Sequence, residues 1–138
     1  IPTGEIASVE GTPMDFRTEK QIGQDIRADF EQLHFTGGYD HNYVLGRPGE
    51  KKIMANAYCR ESGIALEAET DCCGVQFYAG NFIGEQTGKG GAAYHDRSAF
   101  CLESQFYPNA VNEPDFPSPV VKAGHTYHTE TSYRFYLR

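Results

Sequence analysis

The chain contains no tryptophan, only 2 methionines, and nowhere a run of apolar residues approaching the length a bilayer demands. A spanning helix needs about 20 predominantly apolar residues, so a helical membrane protein is excluded and a soluble chain is expected. Positive charge is scarce as well. The 12 Lys and Arg face 19 Asp and Glu, for a net charge of −7. No basic cluster interrupts that balance, so neither nucleic acid nor an anionic membrane is the expected partner. The opening IPTGEIASVEG lacks the basic start and apolar middle of a secretory signal. It begins at Ile1 instead of Met, which reads as a cut, processed or subcloned product.

Metal and redox signatures are missing too. Cys59, Cys72, Cys73 and Cys101 form no C-x-x-C pair, and adjacent Cys72 and Cys73 would bridge each other awkwardly. Reduced, partly buried thiols in a cytoplasmic protein are expected. His125 and His128 stand three apart, and on a strand such residues point to opposite faces. His34, His41 and His95 are scattered, so no metal site is expected. GEQTGKGG, residues 84–91, fails the phosphate-loop template in spacing and in having Gly90 after Lys89, and reads as a turn or a mobile glycine-rich loop. No G-x-S-x-G announces a serine nucleophile.

What is present is β pattern. A length of 138 residues suits about one domain. From Tyr127 to Leu137 aromatic and β-branched residues alternate with His128, Glu130, Ser132, Arg134 and Tyr136, a period of two. IMANAYCRE and IALEAETD flank Ser62-Gly63 as the two arms of a hairpin. CGVQFYAGNF and SAFCLESQFY supply two further strands. Only residues 19–35 have helical spacing, with Ile22, Ile26, Phe30 and Leu33 on one face and Gly23 against the assignment. Pro108 to Pro119 holds four prolines and reads as a surface loop. The expected fold class is all-β, an antiparallel sandwich or part of one, without internal boundary over residues 1–138.

Three polar residues stand out in this pattern. Glu103 lies in an apolar, aromatic run, so it either faces outward or serves a cavity, because a buried unpaired carboxylate is costly. Asp40, in GGYDHNYVL, follows two glycines and is bracketed by Tyr39 and Tyr43; it is either a turn stabiliser or a site residue. Gln76 in GVQFYAGN reads locally as an outward strand residue. Aromatics make up 13% of the chain, all Tyr and Phe. Rings beside carboxylates and amides suit a neutral sugar, although in β proteins they usually fill cores.

Five ordered segments carry a resemblance. GTPMDFR (11–17), GGYDHNYVL (37–45), GVQFYAGN (74–81), GKGGAAY (88–94) and FCLESQFYPNAVNEPDFPSP (100–119) together resemble the aldose 1-epimerases, the galactose mutarotases. The resemblance implies a large antiparallel β-sandwich, of which this chain is the C-terminal part. It implies interconversion of the α and β anomers of free hexoses such as galactose or glucose, without cofactor or metal. It makes Glu103 the general base and places Asp40 and Gln76 at the sugar. Phe100, Phe106 and Tyr107 are expected to desolvate Glu103 in part.

The departures from the family are specific. The family's long segment before GTP-DF, with its acid and sugar-binding histidines and an arginine, has no counterpart here, and none of the five histidines lies in a matching acid motif. Cys72-Cys73 replaces the Glu-Pro or similar pair that usually precedes GVQFY. A chain holding the base without its acid is expected to need the missing half on a second chain, or to self-associate. The competing reading is a non-catalytic carbohydrate-binding module, with a glycosidase using Asp40 and Glu103 a distant third.

Overall fold

The computed structural model describes residues 2–138. Its elements are α1 (Glu31–Thr36), β1 (Asp40–Val44), β2 (Lys52–Tyr58), β3 (Ile64–Thr70), β4 (Gly74–Tyr78), β5 (Gln86–Thr87), β6 (Ala93–Tyr94), β7 (Cys101–Gln105) and β8 (Thr131–Leu137). Among the described residues the chain is all-β apart from one short α-helix and two 3₁₀ turns, and none of these helices is long and apolar enough to cross a membrane. Packing divides it into two compact units: one is built chiefly of Asn42–Gln76 and Leu102–Arg138, the other of Glu5–His41 and Phe77–Cys101.

In the first unit, β2, β3 and β8 form an antiparallel sheet in that order. The β2–β3 hairpin is closed by residues 59–63 and not by Ser62-Gly63 alone. Cys59 N–H donates to Ile64 O and Gly63 N–H to Cys59 O, both at 2.9 Å. Gly63 takes the left-handed conformation this turn needs (φ 70°). Beyond it β3 alternates, so Ile64, Leu66 and Ala68 share a face, opposite Leu137, Phe135 and Tyr133 of β8. A register shift between Ile53 and Ala55 lets Met54 also turn inward. Met54 and Ala68 meet Val75 of β4, with Tyr43, Leu45 and Leu102 packed around them, so two sheets face each other across an apolar layer. The second sheet has the order β1-β4-β7, and Leu45 N–H bonds Cys73 O at 2.8 Å where β1 leaves β4.

The second unit is organised by Tyr39. Its ring is fully buried, stacked on Phe77 with centroids 5.5 Å apart and met edge-on by Phe16 at 4.9 Å. Its hydroxyl donates to Pro13 O at 2.9 Å, and burial pushes its pKa up to about 12. Asn81 donates to both Thr36 O and Tyr39 O at 3.0 Å, tying the end of α1 to the start of β1. That approach explains Gly38: a Cβ there would lie 2.3 Å from Asn81 Oδ1. GEQTGKGG supplies β5 and the turn of the short β5–β6 hairpin, with Gly88 N–H bonded to Ala92 O at 2.7 Å.

Two further expectations are corrected. The helix over 19–35 shrinks to Glu31–Thr36, and before it the backbone makes four-residue turns, Gln24 N–H to Gln21 O and Ala28 N–H to Asp25 O. Gly23 weakens any helix by about 1 kcal/mol relative to Ala. Lys20 also clamps the turn by bonding Pro13 O at 2.6 Å and Asp25 at 2.9 Å. Ile26 and Leu33 are buried nonetheless, so the apolar spacing registered contact with the core, not helix. The C-terminal strand begins at Thr131, not Tyr127, because Asp71 captures the preceding segment by accepting from Glu130 N–H at 2.9 Å and from Thr129 Oγ1 at 2.5 Å.

Candidate functional site

The three singled-out residues lie on the three strands of one sheet: Asp40 on β1, Gln76 on β4 and Glu103 on β7. Pleating decides which way the last two point. Val75 and Leu102 are directed into the apolar layer, so Gln76 and Glu103, their immediate neighbours, stand on the opposite face. Asp40 opens β1 two residues before Asn42, on the same side of that strand. It is a strand residue, not a turn residue, and its N–H donates to His41 Nδ1 at 3.1 Å. Burial lowers the His41 pKa, opposed by the Asp40 charge and a hydrogen bond to the Gln32 backbone.

Two polar residues not foreseen share this face. Gln105 Nε2 donates to Asn42 Oδ1 at 3.4 Å, an amide bridge from β7 to β1. The bridge passes Gly74 of the middle strand, where an added Cβ would lie 2.6 Å from Asn42 Oδ1 and 3.1 Å from Tyr107 Cδ1. The missing side chain therefore makes room for the contact. The signal was in the sequence: Asp40 and Asn42, like Glu103 and Gln105, are polar pairs two apart, and the position next to each pair holds an apolar or aromatic residue of the opposite face, Tyr43 or Leu102.

The expected desolvation of Glu103 is not observed. Tyr107 is buried, but Phe100 and Glu103 itself are exposed. Tyr107 packs beside Gly74 next to the Asn42–Gln105 bridge and meets Phe116 edge-on at 5.1 Å, while the β7 carboxylate stays exposed. Around the entry to β4 the cysteines form no disulfide. Cys73 is buried with Sγ 3.7 Å from Gln105 O, and burial raises its pKa. Cys72 Sγ lies 3.1 Å from Thr129 Oγ1, so the Cys72-Cys73 pair fixes the start of β4 to β7 and to the segment before β8. His125 and His128 lie outside any strand, so the argument from opposite strand faces does not apply to them.

The chain is similar to known proteins of one family. A galactose mutarotase from Bos taurus is 44% identical over 136 residues, covering 98% of this chain and 38% of the relative. An aldose 1-epimerase from Escherichia coli K12 is 36% identical over 138 residues, covering 98% of this chain and 40% of its own length. A crystal structure described as a GalM/aldose epimerase homologue from C. elegans superposes with a TM-score of 0.77 at 30% identity, over 99% of this chain and 40% of that one. The chain therefore spans about two-fifths of the length of the relatives it matches. The sequence model of the aldose 1-epimerase family matches residues 1–134, and the chain belongs to that family.

Proposed function

We propose that this chain is the base-bearing part of a mutarotase acting on free hexoses. Glu103 takes the proton from the anomeric hydroxyl while an acid gives one to the ring oxygen. The bond from C1 to the ring oxygen breaks, the aldehyde end turns about C1–C2, and closure with the reverse proton transfers yields the other anomer. Asp40 and Gln76 hold sugar hydroxyls, and no cofactor takes part. The observation that supports this reading is the polar face of the β1-β4-β7 sheet, where Gln76 and Glu103 project from adjacent strands away from Val75 and Leu102.

No histidine of this chain lies in a segment matching the family's acid motif, so the acid is assigned to the family segments without counterpart here. A second chain or a longer polypeptide carrying them would pack on the bare inner face of the β2-β3-β8 sheet, where Ile64, Phe135 and Leu137 are exposed. A positioned acid or base typically contributes about 10² to 10⁴-fold. Polarimetry of fresh α-galactose or α-glucose is expected to show fast relaxation when this chain is joined by the complementary segments, and a loss of about that size in Glu103→Gln. If Glu103→Gln keeps full activity, the base is another group. Saturable sugar binding without acceleration in the completed protein identifies a carbohydrate-binding module instead, a reading that the exposure of Glu103 favours for the chain by itself.

A further inference from the structure

Within the second unit lies an open cleft of about 470 Å³, lined by none of Asp40, Gln76 or Glu103. Small-molecule sites usually measure roughly 300–1,000 Å³. Its walls include Ile22, Ile26 and Phe100, and its polar groups include Arg27, Arg97 and Ser98. Among the described residues neither arginine has a carboxylate within ion-pair distance, in a chain of net charge −7. The nearby acids are engaged elsewhere. Asp25 pairs with Lys20 at 2.9 Å, Asp29 with His34 at 3.3 Å and Glu85 with His95 at 2.7 Å, while Asp96 accepts from Gly84 N–H at 2.8 Å.

The loop presenting Arg97 is held in an unfavourable conformation. Among the described residues Arg97 is one of two non-glycine residues with positive φ, at 66°. Such a conformation persists only when its surroundings over-determine it, and it collects at ligand sites. Here Arg97 N–H bonds Gly80 O at 2.8 Å and Arg97 Nη2 bonds Gly37 O at 2.7 Å. His95 N–H bonds Ser98 Oγ at 2.8 Å, and Ser98 N–H bonds His95 O at 3.0 Å. Gly80 admits this loop, since a Cβ there would lie 2.3 Å from Ala99 O. With one guanidinium nitrogen fixed on Gly37, the remaining donors of Arg97 are oriented before any ligand arrives.

We propose that this cavity binds a small organic oxyanion, with a phosphate or carboxylate head between Arg27 and Arg97 and an apolar body against Ile22, Ile26 and Phe100. Two guanidiniums supply forked donors to an oxyanion, and the apolar walls reject a bare inorganic ion in favour of one carrying a hydrocarbon. The proposal stands independently of the sugar reading.

The test is titration of the isotopically labelled chain with phenyl phosphate, benzoate, inorganic phosphate and phenol, read at the backbone amides of residues 97–100. Phenyl phosphate or benzoate is expected to shift these amides saturably, less so at high salt, and more tightly than phenol or inorganic phosphate. Binding of only one of the two aromatic anions fixes the head group. Arg27→Gln, a change at an exposed side chain, is expected to weaken binding about tenfold, the scale of a hydrogen bond to a charged group. Arg97→Lys, which keeps the charge and loses the fork, is expected to weaken it less. No saturable shift with either anion, phenol binding as tightly as phenyl phosphate, or affinity unchanged in the Arg27→Gln, Arg97→Lys double variant would overturn the assignment.

Discussion

The two ends of the β3–β8 ladder have similar sequence and opposite fates. At one end Ala68 and Thr70 are 0% exposed; at the other Ile64 is 48% and Leu137 81% exposed. Ile64, Leu66 and Ala68 share a face, so the change happens within a single row of apolar side chains. What differs is the layer above. Ala68 sits under Val75 and Leu102, and Tyr133, paired with Ala68, sends its hydroxyl to Leu102 O at 2.8 Å. Nothing among the described residues of this unit's apolar cluster covers Ile64, Phe135 or Leu137. An inward-facing pattern therefore marks an apolar row, but the layer above it decides how much of that row is buried.

Charge substitution breaks the comparison most sharply. Ala68→Asp places an uncompensated charge in the apolar layer, at a cost on the order of 3–5 kcal/mol. A domain with marginal stability is expected to lose its cooperative unfolding transition, measured by urea denaturation. Leu137→Asp, the same kind of change at the bare end, is expected to change the unfolding free energy by less than about 0.5 kcal/mol. Equal losses at the two ends would show that the Leu137 end is covered in solution.

The bare end becomes informative once complementary segments are supplied. Burying a large apolar side chain contributes about 1.5–3 kcal/mol. Phe135→Asp is thus expected to weaken association with the complementary polypeptide by at least tenfold while leaving the chain itself folded. Calorimetric titration measures the first, and circular dichroism checks the second. Unchanged affinity would move the docking face elsewhere.

At the covered end a smaller effect is expected from the hydroxyl cluster. Thr70 Oγ1 lies 3.0 Å from Thr131 Oγ1, which lies 2.7 Å from Ser104 Oγ, and Thr70 also accepts from Cys72 N–H at 3.1 Å. Thr70→Val keeps the shape but leaves that N–H without its acceptor, for a loss of about 1–3 kcal/mol. Thr→Val changes at the exposed positions of the chain give the reference. A change within the reference scatter would mean that water replaces the lost hydroxyl.

The sequence disclosed this fold where a period was local and failed where a side chain overrode it. β4 and β7 are readable in GVQFY and CLESQ because alternation needs no partner to be seen. The false helix over 19–30 arose because Ile22, Ile26 and Phe30 have helical spacing, while Lys20 holding Asp25 and Pro13 left no such trace. Glu103, Asp40 and Gln76 were singled out from separate motifs, and their strands prove to be neighbours. The Asn42–Gln105 bridge was missed because the reason for Gly74 is three-dimensional: two amides from flanking strands pass over it. The exposure of Glu103 was equally hidden, since neighbouring aromatic residues in sequence do not say which way their rings turn.

The gentlest perturbation acts in the other unit, which has its own aromatic core and its own titratable sensor. His41 is half-buried, and burial depresses its pKa below 6.5. The unfolded chain therefore takes up a proton at a higher pH than the folded one. Stability from keeping this imidazole neutral is complete above about pH 6.5 and falls as pH drops through the window between 6.5 and the lower folded value. Denaturation midpoints at closely spaced pH values are expected to show that decline, and His41→Gln to flatten it. The slope should be absent from probes local to the β3–β8 ladder if the two units respond separately. If it appears there with equal size, the chain unfolds as one cooperative body, and the contrast between covered and bare ends must be measured against the stability of the whole.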